Sequence, residues 1–503
     1  MGGRHVTGRR DVGGLGRTSS WDGIRVVVAG MGVSGFAAAD NLTHLGAKVT
    51  ALDDSLAGDR TEKATLLQIL GSTVRLGPGA TATLPDDVDL VVTSPGWAPS
   101  APLLAQASAR GIPVWGEVEL AWRLRDPENP APWLAVTGTN GKTTTVQMLE
   151  SMLRAHGLRT VACGNVGLPI VEVVMDPQPY DVLAVELSSF QLHYTSSVAA
   201  QSAVVLNVAE DHLDWYAGLG DPMTGYAADK GLIYRGNQLA CVYNVADPMT
   251  EQLVRDAEVA EGARAIGFTL GTPAVGMVGL VDDVLADRAF IEDRQNTAAE
   301  LCTLGELASN APHFVSNALA AAALARSHGV APAAVREALR SFRPDGHRIA
   351  EVAVVGDVTW VDDSKATNPH AALASLRAYE HVVWVAGGLA KGARFDDLVA
   401  SVRDRLRGVV LLGRDAQVIR EALSRHAPDV PVFELAASET DPQRSMDRVV
   451  SEASALARAG DTVLLAPGCA SMDMFANYGA RGDAFTEAVQ RLRRAGNEDG
   501  QTP

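Results

Sequence analysis

Cysteine is scarce in this chain: four residues in 503, Cys163, Cys241, Cys302 and Cys469, with no C-x-x-C pair among them. That spacing offers neither a disulfide framework nor a zinc cage, and it suits a reducing cytoplasm. Long apolar runs are missing as well. None reaches the roughly 18 residues that a membrane span requires, so membrane insertion is not expected. Positive charge is in deficit: 43 Lys and Arg stand against 60 Asp and Glu, a formal net charge of −17. A nucleic-acid partner is therefore not expected, although a local site can still oppose the global charge and hold a small anion. The first twenty residues are rich in Gly and Arg and lack an apolar stretch. They do not read as a secretory signal, and they are expected to be a disordered extension.

What is present describes an ordinary globular protein, with 47% apolar and 20% charged residues. At this length one core is not enough, and about three domains are expected. The boundaries fall at 1–20 for the extension, 21–131, 132–343 and 344–495 for three domains, and 496–503 for a disordered tail. The polar, Pro-rich run Arg125–Pro132 is the first linker. Each domain alternates near-continuous apolar strands with helical segments, the pattern of a mainly parallel sheet covered on both faces. The fold class is thus α/β: a Rossmann-like N-terminal domain, a P-loop ATPase-like central domain and a Rossmann-like C-terminal domain.

The chain is organised around Gly138-Thr139-Asn140-Gly141-Lys142-Thr143. The apolar run Trp133–Val136 reads as a buried strand, and a helical pattern follows from Val146. Backbone N–H groups of such a turn point at anionic oxygens, Lys142 adds a full charge, and Thr143 would place a hydroxyl on Mg²⁺. The usual phosphate-loop pattern wants a glycine where this chain has Val136, so the loop is a shortened form.

Other strand ends carry polar groups. In the first domain, Ile24–Ala29 runs into Gly30-Met31-Gly32-Val33-Ser34-Gly35, and Asp53 ends the next strand. This is a G-x-G-x-x-G fingerprint, which alone leaves the nucleotide open, since UDP satisfies it as well as NAD does. Val88–Thr93 ends in Ser94-Pro95-Gly96. In the central domain, strands end at Gly164-Asn165, Glu186 and Glu210-Asp211-His212. In parallel sheets such ends gather on one edge. A carboxylate such as Glu186 suits Mg²⁺, whereas His212 taken alone is ambiguous. Lys230 reads as a surface charge, and Asn317, from its position alone, as a helix cap. The third domain offers Asp362–Pro369, opening a helix that Ser364, Thr367 or Asn368 could cap, and a final strand ending in Pro467–Asp473.

Taken together, these motifs resemble the Mur ligases. The residues that carry the likeness are the shortened phosphate loop, Gly164–Pro169, Glu186–Leu192, Glu210-Asp211-His212 and Asp363-Ser364-Lys365-Ala366-Thr367-Asn368. The last cluster points to the branch of the family that adds D-glutamate. The resemblance covers roughly Ile24 to Leu492 in the expected order.

It implies a cytoplasmic ATP-dependent acid–amino-acid ligase of peptidoglycan precursor synthesis, acting as a monomer on UDP-N-acetylmuramoyl-L-alanine, D-glutamate and ATP through an acyl phosphate. By the same resemblance, Gly138, Thr139, Asn140, Gly141, Lys142, Thr143 and Thr144 hold the phosphates. Asn317, Arg348 and Asp363 bind adenine, phosphate and ribose. Thr143 and Glu186 take a first Mg²⁺. His212 and Lys230 serve a second, with Lys230 carbamylated by CO₂, which turns a repelling cation into an anionic oxygen ligand. Lys142, Glu186, His212 and Lys230 form the catalytic set. Asn165 and Ser188 touch substrate, and Lys365, Thr367, Ser471, Met472 and Tyr478 serve the D-glutamate side. Ser34, Asp53, Ser94, Pro95 and Gly96 contact UDP.

Three rivals stand beside this reading. Another amide ligase of the same fold, such as a folylpolyglutamate synthase, leaves the N-terminal G-x-G-x-x-G domain and the Asp363–Asn368 cluster unexplained. An NAD-dependent oxidoreductase explains residues 30–53 and leaves Lys142, Glu186 and His212 without a use. A non-catalytic nucleotide-binding regulator should lack a complete constellation.

Overall fold

Strands buried on both faces need apolar side chains in both directions, and this chain folds three sets of them into three separate sheets. The structure is a computed structural model and describes residues 10–218, 220–343, 346–347, 349–436 and 441–499. The first sheet is wholly parallel, in the order Thr73–Leu76, Lys48–Asp53, Arg25–Ala29, Leu90–Thr93, Val114–Gly116. Strand order reverses between Arg25–Ala29 and Leu90–Thr93. In a doubly wound sheet such a reversal opens a crevice at the carboxyl ends of the strands. The turn from Gly30 and the turn at Ser94 lie there. The two outermost strands, Thr73–Leu76 and Val114–Gly116, are not legible in the sequence. They are four and three residues long, and the former keeps two of its residues exposed, so neither makes an apolar run.

The second sheet has nine strands. From one edge to the other these are Ala299–Thr303, Val284–Asp287, Met277–Val281, Arg264–Phe268, Ala240–Asn244, Ser202–Val205, Trp133–Thr137, Val182–Glu186 and Thr160–Gly164. Its outer strands from Met277 onward pair antiparallel and the rest are parallel. The Ala-rich helix Pro312–Ser327 is buried almost along its whole length against this sheet. The third sheet runs Ala350–Val355, Val358–Asp362, Thr462–Leu465, Val382–Gly387, Leu406–Leu412, Val432–Glu434, with only the Ala350–Val355 edge antiparallel.

Three sheets make two compact units. Residues through Val208 together with Gly218–Phe342 form one, and Ala209–Ala217 together with Arg343 onward form the other. The first two sheets therefore share a body, and the boundary at 131/132 separates sheets rather than cores. One hydrophobic cluster holds Trp21, Val26 and Trp115 with Trp133, Val185 and Ala203. The helix Glu117–Arg123 supplies the polar part of this joint. Glu117 Oε1 accepts the Val171 amide at 2.6 Å. Glu119 accepts the amides and hydroxyls of Ser196 and Ser197, and pairs with Arg123 at 2.7 Å.

The segment from Arg10 to Ser20, expected as disordered extension, is packed. Val12 is buried, the Arg10 amide donates to Asp89, and the Arg123 guanidinium donates to the Gly13 carbonyl. Val12 and Leu15 pack on the core and a few hydrogen bonds fix the segment, which composition does not reveal. Residues 1–9 lie outside the described residues. At the other end the helix Tyr478–Asp499 carries four residues beyond the expected domain end.

Glu117 is 3% exposed, and burial pushes its carboxyl up to about 8. A carboxyl whose pKa is raised on folding favours the folded state below its unfolded value near 4.5. That contribution is lost as pH rises through the folded value. Thermal stability is expected to fall between about pH 5 and pH 8, by up to roughly 1.4 kcal/mol per pH unit. Glu117→Gln should flatten that slope in a melting series across this range. An unchanged slope in the variant would contradict the assignment.

Candidate functional site

The phosphate loop follows the strand Trp133–Thr137 and opens the helix Lys142–Ala155. Its shape depends on residues outside the loop. The Asn140 amide donates to Asn207 Oδ1 at 2.8 Å, and Asn207 Nδ2 returns a bond to the Asn140 carbonyl at 3.1 Å. Gly141 has φ +85°, and a Cβ placed there would run into Asn317 Oδ1. Asn317 is thus not a cap: the helix begins at Pro312, and this side chain faces the loop from its second turn. Thr139 Oγ1 lies 3.0 Å from the Tyr226 hydroxyl.

Two lysines converge on one carbonyl. Lys142 Nζ donates to the Gly138 and Thr139 carbonyls, each at 2.9 Å, and Lys230 Nζ donates to Gly138 at 2.9 Å. Lys230 is 1% exposed and lies 4.4 Å from the Tyr226 ring centroid. A lysine that the sequence presents as a surface charge is therefore buried beside the phosphate loop. The helix Pro222–Gly231 brings it there, capped by Asp221 on the Thr224 amide.

Glu186 ends the strand that neighbours the loop strand, with Val136 as its cross-strand partner. It is 1% exposed. Asn165 Nδ2 donates to its Oε1 at 2.9 Å, while its Oε2 is buried with no hydrogen-bond partner among the described residues. A buried carboxylate oxygen without a partner carries a large desolvation cost that a cation would offset. The donor set of a carboxylate and the Thr143 hydroxyl at the next helix start is all oxygen, the chemistry Mg²⁺ prefers. The residues present thus fit the expected metal. Ser188 acts locally. Its hydroxyl accepts the Gln191 amide and Gln191 returns a bond, a capping box on Ser189–His193.

In the first sheet, Asp53 holds its own turn. Its Oδ2 accepts the Met31 amide at 2.7 Å and pairs with Arg60 Nε at 3.0 Å. A Cβ at Gly35 would collide with the Gly30 carbonyl, which fixes the tight helix entry. Ser34 is on the first turn of that helix. Ser94 Oγ faces the Gly30 carbonyl at 3.4 Å, so Ser94-Pro95-Gly96 and the Gly-rich turn border the same crevice.

The second unit has its own cluster. Asp363, 7% exposed, accepts the Ser375 hydroxyl and the Ile349 amide. Asn368 caps Pro369–Leu376, settling which residue does so, and its Nδ2 donates to Asp211. Lys365 Nζ lies 5.0 Å from the Tyr478 ring centroid. Thr367 is half-buried between Lys365 and Asn368, Ser471 is buried, and Met472 is 75% exposed. His212 has φ +56° and lies 3.6 Å from Asp211. Arg348 lies outside the described residues.

Two residues here escaped sequence reasoning. Lys391 Nζ lies 3.5 Å from His212 Nδ1, on a Gly-containing turn after the apolar strand Val382–Gly387. That is the same grammar as the phosphate loop, and could have flagged it. Arg481, 1% exposed, donates to the Ser364 hydroxyl and carbonyl and to the Cys469 carbonyl. It ties the two polar strand ends together, and burial pushes its pKa down to about 10. A single arginine in a helix gives no sequence signal.

With this geometry in place, the comparisons with known proteins are specific. Residues 136–325 match the Mur ligase middle domain, 347–469 the Mur ligase glutamate ligase domain, and 24–116 the MurD-like N-terminal domain. A Streptomyces avermitilis protein named UDP-N-acetylmuramoylalanine--D-glutamate ligase is 60% identical over 94% of this chain and 99% of its own length. Proteins of the same name from Thermobifida fusca and Mycolicibacterium smegmatis are 52% and 47% identical, each over 93% of this chain and 99% and 97% of their own. Among solved structures, Thermotoga maritima UDP-N-acetylmuramate-alanine ligase MurC has a TM-score of 0.55 at 19% identity, covering 93% of this chain and 100% of its own. MurF from Acinetobacter baumannii also scores 0.55, at 16% identity, over 94% and 91%. These structures share the fold.

The loop geometry makes one direct test. Gly141→Ala should destabilise the protein by about 1–3 kcal/mol, through left-handed strain plus the clash with Asn317. Adding Asn317→Ala should recover the steric part only. If denaturant unfolding gave the two single variants purely additive costs, the contact would not be as described.

Proposed function

The chain belongs to the Mur ligase family, and from that premise we propose that it is an ATP-dependent ligase joining D-glutamate to UDP-N-acetylmuramoyl-L-alanine in peptidoglycan precursor synthesis. One observation carries the catalytic reading: the buried, unpartnered Oε2 of Glu186 on the strand beside a lysine-bearing phosphate loop. An oxidoreductase has no use for that pairing. The identity of the added amino acid rests on the relatives, whose name states D-glutamate.

The chemistry follows from the substrate. A free carboxylate is a poor electrophile, so its oxygen first attacks the γ-phosphorus of ATP and ADP leaves. The amine of D-glutamate then attacks the acyl carbon, a tetrahedral intermediate forms, and phosphate departs with the former carboxylate oxygen. Lys142 and the amides of Gly138–Thr144 would cradle the β- and γ-phosphates and stabilise charge as it shifts toward ADP. Mg²⁺, when bound by Thr143 and Glu186, would neutralise phosphate charge. Asn165, already fixed on Glu186, would touch the substrate. Asn317 would read adenine, and Asp363 the ribose.

A second metal would be held with Lys230 as a carbamate. Its support is the burial of Lys230 within 2.9 Å of the loop carbonyl of Gly138. His212, which belongs to the other unit, carries its metal role from the family resemblance alone. Lys365, Thr367, Ser471, Met472 and Tyr478 are proposed for D-glutamate, and Ser34, Asp53 and Ser94-Pro95-Gly96 for UDP. Among the described residues no helix is long and apolar enough to cross a membrane. The proposed working state is a cytoplasmic monomer.

Phosphate release with UDP-N-acetylmuramoyl-L-alanine, ATP and Mg²⁺ should be stimulated by D-glutamate and not by L-glutamate, L-alanine or L-lysine. Equal stimulation by all four would refute the specificity. Lys142→Ala should lower turnover by roughly 10³-fold, the scale of a lost transition-state charge contact. Lys230→Ala should lose activity and regain part of it with added acetate or formate. A variant that no short carboxylic acid rescues would remove the support for the carbamate.

A further inference from the structure

Lys230 is buried beside the phosphate loop, yet the helix that brings it there has little apolar surface with which to hold it. Of the ten residues Pro222–Gly231, the buried ones are Tyr226, Ala227 and Lys230. One ring and one methyl group make a narrow apolar face, whereas a functional side chain must be held to about 0.5 Å. Polar ties supply what packing does not. Tyr226 reaches Thr139 and Lys230 reaches Gly138, both on the phosphate loop. A third tie runs in another direction. Asp229 Oδ2 accepts from His193 Nδ1 at 2.9 Å, with the two side chains 13% and 25% exposed. Successive residues on a helix project about 100° apart, so Asp229 grips one neighbour while Lys230 faces another.

The element that carries His193 is a fixed platform. The helix Ser189–His193 starts soon after the strand that ends at Glu186, and the capping box of Ser188 and Gln191 closes its first turn. Its far end is tied to the first sheet. The Gly116 amide donates to the Tyr194 carbonyl at 3.1 Å, and the Tyr194 hydroxyl donates to the Trp97 carbonyl at 2.9 Å. A Cβ at Gly116 would lie 3.2 Å from Tyr194 Cβ, so the two backbones approach closely. His193 is thereby held between the Glu186 strand and the first sheet.

We propose that His193 and Asp229 are a positioning pair, which holds Lys230 in register with Glu186 at the phosphate loop; the value of this to the reaction rests on the reading of Lys230 as a site residue. The pair differs from the other ties in one respect. Lys230 Nζ must leave the Gly138 carbonyl to take up its proposed role, whereas the contact between His193 and Asp229 persists and keeps the helix in place.

Amine labelling of the full chain with acetic anhydride in CO₂-free buffer, read residue by residue by mass spectrometry, tests the pairing. Lys230 of the parent chain should label slowly. His193→Ala and Asp229→Asn should each raise its rate by about tenfold, the scale of one charged hydrogen bond. Amide exchange along the strand Trp133–Thr137 should stay as in the parent. The double variant should match the single ones, because the two residues form one tie. An unaltered Lys230 rate in both variants, a rise accompanied by faster exchange throughout that strand, or effects that multiply in the double variant would each overturn the proposal. Turnover is read separately: kcat should fall as the Lys230 rate rises, with KM for ATP unchanged. A raised Lys230 rate with full turnover would uphold the positioning pair and count instead against the role given to Lys230.

Discussion

A buried carboxylate beside a phosphate loop is the constraint on which the rest of this structure depends. Val136 and Glu186 are partners across parallel strands, so the loop after one strand and the acid ending the other are fixed in register. Asn165 holds one oxygen of that acid and the other has no partner among the described residues. Such an arrangement is destabilising by itself. A cation at that point would offset the cost.

The scaffold that enforces this register is larger than the central sheet. Helix Glu117–Arg123 carries two buried glutamates into the joint between the first two sheets, and the hydrophobic cluster runs across that joint. The crevice at Gly30 and Ser94 and the phosphate loop thus belong to one compact unit. In the other unit Arg481 plays the analogous part, tying Ser364 to Cys469 through hydrogen bonds rather than packing alone. Both supports use buried ionisable side chains where a surface residue is the ordinary reading.

Most of the sheet architecture was legible because central strands such as Trp133–Thr137 and Val382–Gly387 are apolar along nearly their whole length. The edge strands Thr73–Leu76 and Val114–Gly116 were not, since an edge needs no such run. The phosphate loop and Glu186 were legible from residue type and strand-end position. Lys230 was raised only by the family resemblance, because its burial depends on how Pro222–Gly231 docks. The burial of Arg481 and Glu117 was missed for a related reason: a lone charge reports burial only through tertiary contacts. The packed segment after Arg10 was misread because glycine and arginine suggest solvent, while Val12 and a handful of hydrogen bonds decide otherwise.

The central claim is that this site transfers the γ-phosphate of ATP to a carboxylate. Oxygen tracing tests it most directly. With ¹⁸O in the terminal carboxylate of UDP-N-acetylmuramoyl-L-alanine, one turnover should place one ¹⁸O atom in the released inorganic phosphate, because the acyl–oxygen bond breaks when the amine attacks. Phosphate free of label, or label found in AMP, would contradict the account.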